Sequence, residues 1–238
     1  MKIGNRKINI NNPPFIIAEL SANHNNDIKR ALKLIDEAKK AGADAVKIQT
    51  YKPETITLNS KNRFFKISDK KSLWDQKYLH DLYSQGSLPW EWHKEIFSFA
   101  KKKNILCFSS PFDETAVDFL DKLNVPLYKV ASFENQHYPM LDKIIKTKKS
   151  SIVSLGATTF NEILNLVKFF KKKKYINYSF LKCTSSYPAP VNQSNVKTIS
   201  DLRKKFKVEV GLSDHTPGIG VALAAIANNA TIIEKHFT

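Results

Sequence analysis

Two histidines, two lysines and a recurring set of serines carry most of the chemistry this chain could perform. His215 and His236 each end a short apolar run, in Gly-Leu-Ser-Asp-His and Ile-Ile-Glu-Lys-His. If those runs are neighbouring strands, ~4.8 Å apart, the two imidazoles could share one divalent transition metal, with water or substrate filling the open positions. A hydrogen-bonded histidine pair without metal is the other reading. Lys47 and Lys129 lie inside the apolar runs Ala-Val-Lys-Ile and Leu-Tyr-Lys-Val. A buried ammonium is costly unless an anion meets it. With Ser110, Ser132, Ser154 and Ser213 at neighbouring run ends, a phosphate or carboxylate ligand is the economical partner. A core carboxylate in a structural ion pair and a Schiff-base lysine are the alternatives. Glu19, after Phe-Ile-Ile-Ala, reads either as a general acid/base or as a structural partner of Lys47.

These residues need elements to hold them. Strand-like runs cover 15–21, 44–50, 105–111, 126–132, 151–157, 178–186, 208–214 and 231–237, rich in β-branched and aromatic residues. Helical spacing lies between them: Ala31, Leu34, Ile35 and Ala38, closed by Ala41-Gly42; Trp92, Ile96, Phe99 and Ala100; and Ile163, Leu166, Val167 and Phe170. Eight strands alternating with helices in this length predict a (β/α)₈ TIM barrel, an α/β fold occupying residues 1–238 as one catalytic domain. A doubly wound open sheet is disfavoured because no Gly-x-Gly-x-x-Gly follows the first strand. In such a barrel the strand C-termini carry the active groups, and period-two alternation puts Lys47 with Gln49, Ser185 with Tyr187, Ser213 with His215, and Glu234 with His236 on shared faces.

Two irregularities stand out. Residues 51–89 form a long connection after the second strand, with Leu73–Tyr83 patterned as an inserted helix, so a substrate-covering loop is expected. The chain also stops just after the eighth strand, so the eighth helix is expected to be missing.

Composition narrows the class. The hydrophobic fraction of 42% with 11% aromatics is that of a folded protein. No run approaches the ~18 apolar residues of a membrane span, and Met1–Pro14 carries no signal-peptide core, which predicts a cytoplasmic protein. Cys107 and Cys183 sit in apolar runs and read as buried free thiols. The net charge of +16 comes almost wholly from lysine, with only Arg6, Arg30, Arg63 and Arg203 beside it. The lysines gather at helix ends, where they complement the dipole. Nucleic-acid binding is therefore not expected, and an anionic small substrate is.

At this point the motifs match a known pattern. Residues 15–24 (Phe-Ile-Ile-Ala-Glu-Leu-Ser-Ala-Asn-His), 41–50 (Ala-Gly-Ala-Asp-Ala-Val-Lys-Ile-Gln-Thr), 211–216 (Gly-Leu-Ser-Asp-His-Thr) and 234–237 (Glu-Lys-His-Phe) resemble the sialic acid synthase family. Residues 72–75, 89–93, 106–112 and 129–134 resemble its pseudaminic-acid-making branch. The resemblance implies condensation of phosphoenolpyruvate with an open-chain N-acetylated amino sugar, a 2,4-diacetamido-2,4,6-trideoxy hexose for that branch. The products would be a nine-carbon 2-keto acid and phosphate. It implies a divalent ion, Mn²⁺ before Mg²⁺ or Co²⁺, on His215 and His236. It implies phosphoenolpyruvate contacts from Lys47, Ser110, Lys129, Ser132, Ser154, Ser185 and Ser213, sugar contacts from Gln49, Glu134 and Tyr187, and an acid/base role for Glu19. Ser110 and Ser185 stand where the sialic-acid-making branch has Thr and Asn; both keep a hydrogen-bonding group. Family members continue past the barrel with an acidic sugar contact and a small antifreeze-like domain. In the homodimer that domain brings an arginine to the partner's site. Neither feature is in this sequence. An N-acetylneuraminate or legionaminate synthase is the alternative within the class. A catalytically silent fragment, poorly active and with an open barrel bottom, is another.

Overall fold

The computed structural model describes residues 1–70, 72 and 74–238. Its frame is a closed barrel of eight parallel strands: β3 (Phe15–Glu19), β4 (Ala45–Thr50), β5 (Leu106–Pro111), β6 (Leu127–Val130), β7 (Ser150–Ser154), β8 (Tyr178–Cys183), β9 (Val210–Asp214) and β10 (Ile232–His236). The strands follow chain order around the barrel, and β10 closes it against β3. All eight expected strands are present.

Seven helices follow the first seven barrel strands: α1 (Ile28–Lys40), α4 (His93–Lys102), α5 (Glu114–Lys122), α6 (Tyr138–Lys146), α7 (Phe160–Lys172), α8 (Lys197–Phe206) and α9 (Gly220–Ala227). Their starts are locally encoded. The Asp27 carboxylate accepts from the Lys29 amide, Asp113 accepts from the amides of Thr115 and Ala116, and Thr159 with Glu162 forms a reciprocal capping box. Gly42 ends the α1 segment at φ 89°, a left-handed conformation that glycine adopts at no steric cost. The apolar positions read from helical spacing in α1 and α7 are all buried. In α4, Ile96 and Ala100 are buried, whereas Trp92 belongs to the 3₁₀ turn before the helix.

The connection after β4 is built differently from expectation. It holds α2 (Pro53–Ile56), a 3₁₀ turn at Arg63–Phe65 and α3 (Leu79–Gly86). The expected helix began at Leu73, which lies outside the described residues. Trp74 and Tyr78 precede α3 because Gln76 takes φ 65°, and Ile67 exchanges backbone hydrogen bonds with Gln76 and Lys77 at 2.8 and 2.9 Å. The segment is thus a small antiparallel turn followed by a helix. The Asn26 side chain donates to Gln85 O at 3.2 Å, and Tyr51 Oη donates to Tyr83 O at 3.3 Å, docking α3 beside the C-terminal ends of β3 and β4.

The barrel bottom is not open, which corrects the sequence expectation. β1 (Lys2–Ile3) and β2 (Arg6–Lys7) form a hairpin whose Ile3, with Ile8, packs against Phe15, Ile17, Phe108, Leu127, Ile152, Leu181 and Ile232 inside the barrel. The overlooked signal was Gly4-Asn5 between two short runs, a two-residue hairpin turn.

Candidate active site at the strand C-termini

Inward-facing side chains stack in layers along a barrel. The lower layers here are apolar, and one alternation further along the same strands the lining becomes ionic: Glu19, Lys47, Lys129 and Glu234, all at most 5% exposed. Glu19 forms an ion pair with Lys47. Lys47 Nζ lies 3.7 Å from Glu234 Oε2, and Lys129 Nζ lies 3.7 Å from Glu234 Oε1. Acids and ammoniums therefore alternate, Glu19–Lys47–Glu234–Lys129, and their formal charges cancel. The core-carboxylate alternative is the arrangement the structure shows for both lysines.

Each partner tunes the next. Burial works against the Lys47 charge, but Glu19 and Glu234 outweigh it and hold its pKa above the ordinary value. Lys129 has a weaker carboxylate claim and Lys47 as a like charge, so burial wins and its pKa is lowered. Burial alone would raise Glu234, yet Lys129 and Lys47 hold it well below the usual carboxylate range. The sequence had placed Glu234 only as sharing a face with His236. The structure makes it the joint between the two lysines.

The serines converge on the same floor. Lys129 donates to Ser154 Oγ at 2.7 Å, Lys47 to Ser110 Oγ at 3.3 Å, and Ser213 to Glu234 Oε1 at 3.0 Å. The Gly156 amide donates to Ser132 Oγ at 3.1 Å. A Cβ at Gly156 would sit 2.2 Å from Ser185 Oγ, 2.7 Å from Ser132 Oγ and 3.2 Å from Cys183 Sγ. Glycine therefore lets the Ser132, Ser185 and Cys183 side chains close in over the end of β7, where any Cβ would displace them, a role sequence reasoning had not given it. Cys107 is buried as expected, and burial pushes its thiol up. Cys183 departs from expectation. It is only half-buried and faces the mouth, 3.9 Å from His215 Nδ1.

The two histidines meet. Their ring centres are 5.4 Å apart, and the Tyr187 ring lies against both, 4.1 Å from His215 and 5.8 Å from His236. His215 Nδ1 lies 3.0 Å from Thr184 O. A carbonyl only accepts, so Nδ1 carries the proton and Nε2 keeps its lone pair. Imidazoles sharing an ion at a metal–nitrogen distance of ~2.1 Å have ring centres roughly 5 Å apart, which this pair matches. Among the described residues no group of three His, Cys, Asp or Glu side chains converges into a closed cage. The donor set fits an ion with open positions.

The remaining candidates line the same mouth. Gln49 pairs in register with Ser110. Glu134 sits on the turn after β6; burial pushes its carboxyl up to about 7 despite the opposing pull of Lys129. The charge of Glu134 is also felt at Tyr83 on α3, which places the inserted helix at the rim.

A closed parallel barrel with its polar groups gathered at the strand C-termini is the scaffold of a barrel enzyme. The family model described as NeuB family matches residues 34–238, and the chain belongs to the NeuB family. It is 48% identical to the pseudaminic acid synthase of Campylobacter jejuni over 237 residues, covering 100% of this chain and 68% of that protein. The pseudaminic acid synthase of Helicobacter pylori is 41% identical, covering 94% and 66%. Among solved structures, the N-acetylneuraminic acid synthetase of Leptospira borgpetersenii in complex with citrate superposes with TM-score 0.88 at 34% identity, covering 100% of this chain and 78% of that one. No helix among the described residues is long and apolar enough to cross a membrane.

Proposed function

We propose that this chain condenses phosphoenolpyruvate with an open-chain 2,4-diacetamido-2,4,6-trideoxy hexose, releasing phosphate and a nine-carbon 2-keto acid. The observation that carries this reading is the cluster of two buried lysines and their serines at the strand C-termini, with Lys129 on Ser154 and Lys47 on Ser110. It offers ammonium and hydroxyl donors to an anion with both a phosphate and a carboxylate. Similarity to pseudaminic acid synthases supports the choice of sugar.

In this reading Lys47, Lys129, Ser110, Ser132, Ser154, Ser185 and Ser213 hold phosphoenolpyruvate, while Gln49, Glu134 and Tyr187 orient the sugar. His215 and His236 hold a divalent ion, Mn²⁺ in the first instance, which supplies Lewis-acid polarisation of the sugar aldehyde when bound. C3 of phosphoenolpyruvate then attacks the aldehyde carbon and water adds at C2. The resulting tetrahedral centre expels phosphate by C–O cleavage. Glu19, held against Lys47 with its other oxygen accepting from the Ser21 amide at 2.8 Å, is placed to move a proton in these steps. The helix α3 covers the bound sugar, and the full-length form works as a homodimer.

The test is phosphate release from phosphoenolpyruvate with each candidate amino sugar, with and without chelator, with the product identified by mass spectrometry. We expect release only when sugar and divalent ion are both present, and fastest with the diacetamido-trideoxy hexose. Release undiminished by thorough chelation would remove the metal role. A preference for N-acetylmannosamine would move the chain to the N-acetylneuraminate-type reaction.

A further inference from the structure

The motifs around the two histidines contain more than histidines. Asp214 precedes His215 and Lys235 precedes His236, and neither faces the mouth. By alternation both point outward from the barrel wall, on adjacent strands and in register with each other. The Asp214 side chain is 0% exposed. Its Oδ2 accepts from Lys235 Nζ at 2.8 Å, and its Oδ1 accepts from the Thr216 amide at 2.9 Å and hydroxyl at 2.7 Å. Lys235 Nζ returns to Thr216 O at 2.6 Å, closing a ring through the residues on either side of His215.

His236 is held from its other side too. The Phe237 amide donates to Glu19 O at 2.9 Å, and Asn23 Nδ2 donates to Phe237 O at 3.0 Å. Each histidine therefore sits between two residues that are tied across the sheet, at the strand ends where the ladder itself runs out.

We propose that the Asp214–Thr216–Lys235 ring is a positioning device that fixes the separation of His215 and His236. It locks the β9 and β10 ends together on the outer face, so that the two rings hold one ion on the inner face. The inference rests on the two-histidine reading above. The physical ground is that ligand side chains are only as well placed as the backbone carrying them, and loss of outer contacts to a metal site costs 10–100-fold in affinity. The ring also explains why a buried carboxylate and a lysine occur at these positions, since the substrate-facing chemistry uses neither.

Asp214→Asn and Lys235→Met each leave one partner behind, so the double variant, which removes both charges, is the decisive one. Two measurements are made on the 238-residue chain. The first follows the imidazole nitrogens of His215 and His236 by NMR without metal; the second follows Mn²⁺ binding by titration. In the double variant we expect shifted ring resonances and Mn²⁺ affinity lowered 10–100-fold, with circular dichroism and phosphoenolpyruvate affinity unchanged. Lys235→Arg alone, with Asp214 intact, keeps the ion pair and should retain most of the affinity. A folded double variant with unchanged ring resonances would overturn the proposal. If the parent chain binds no Mn²⁺, the two-histidine metal reading fails, while the metal-free ring spectra still decide whether the ring positions the histidines.

Discussion

Glu134 shows how one side chain at the mouth couples the site to stability. Its carboxyl is raised to about 7 by burial, against an unfolded value near 4.5. The folded state therefore prefers the neutral acid. Below pH ~4.5 both states are protonated and nothing is lost; between pH ~4.5 and ~7 the unfolded chain ionises first, and stability falls as pH rises. Above pH ~7 the full cost is present. Glu134→Gln, which stays neutral, should stabilise the chain by about 1–3 kcal/mol at pH 8 and by little at pH 4. Urea denaturation at the two pH values checks this, and an equal effect at both would show that Glu134 is not destabilised by its charge. Glu234 behaves oppositely at the same mouth, because Lys47 and Lys129 form ion pairs with it, whereas the pull of the same two ammoniums on Glu134 is too weak to offset burial. Two glutamates at the same barrel mouth thus acquire opposite preferences from their surroundings.

At the scale of elements, register decides what meets what. Glu19 is in register with both Lys47 and His236, so its ion pair with Lys47 follows directly from strand pairing, whereas Glu234, in register with Ser213, reaches Lys47 and Lys129 across the barrel. Gly211 shows how tightly that pairing is drawn: a Cβ there would lie 2.2 Å from Ile232 O and 2.7 Å from Ile232 Cβ. The carbonyl cannot rotate away as a side-chain tip could, so Gly211→Ala must push β9 off β10. We expect a loss of about 3 kcal/mol in urea unfolding, a typical cost of overpacking. Stability within about 1 kcal/mol of the parent would mean the strands are not so close. Register is also where sequence reading reached its limit. The strands were legible because each is an apolar run between turn residues, and the mouth residues were legible because alternation sorts them. The Glu19–Lys47 partnership could be read only as one alternative, and Glu234 as the joint between two lysines not at all, since both depend on cross-strand distances. The start of α3 was misplaced because Gln76 adopts a left-handed conformation that apolar spacing does not reveal. The bottom hairpin was missed because strands of two residues leave almost no pattern.

Across the whole molecule the formal charge of +16 suggests a strong pull on anions, yet the fold distributes it otherwise. In a βα-barrel the helix C-termini lie at the end opposite the strand C-termini, and here the last turns carry Lys39 and Lys40, Lys101 and Lys102, Lys143 and Lys146, Lys171 and Lys172, and Arg203 with Lys204 and Lys205. These cations complement the helix dipoles at the face around the β1–β2 hairpin, away from the mouth. The four buried ionic residues at the mouth cancel one another. An approaching anion therefore meets the excess charge only through long-range field, which salt screens over ~8 Å at physiological ionic strength and ~30 Å at 0.01 M. Replacing Lys101, Lys102, Lys171 and Lys172 by Gln should change phosphoenolpyruvate association by less than about twofold at 0.15 M salt. At 0.01 M salt the association rate should fall several-fold, because the field then spans the barrel. Stopped-flow binding at the two salt concentrations distinguishes these cases. A large drop at 0.15 M would mean that the basic face steers substrate across the molecule, so that charge and chemistry are not separated in this fold.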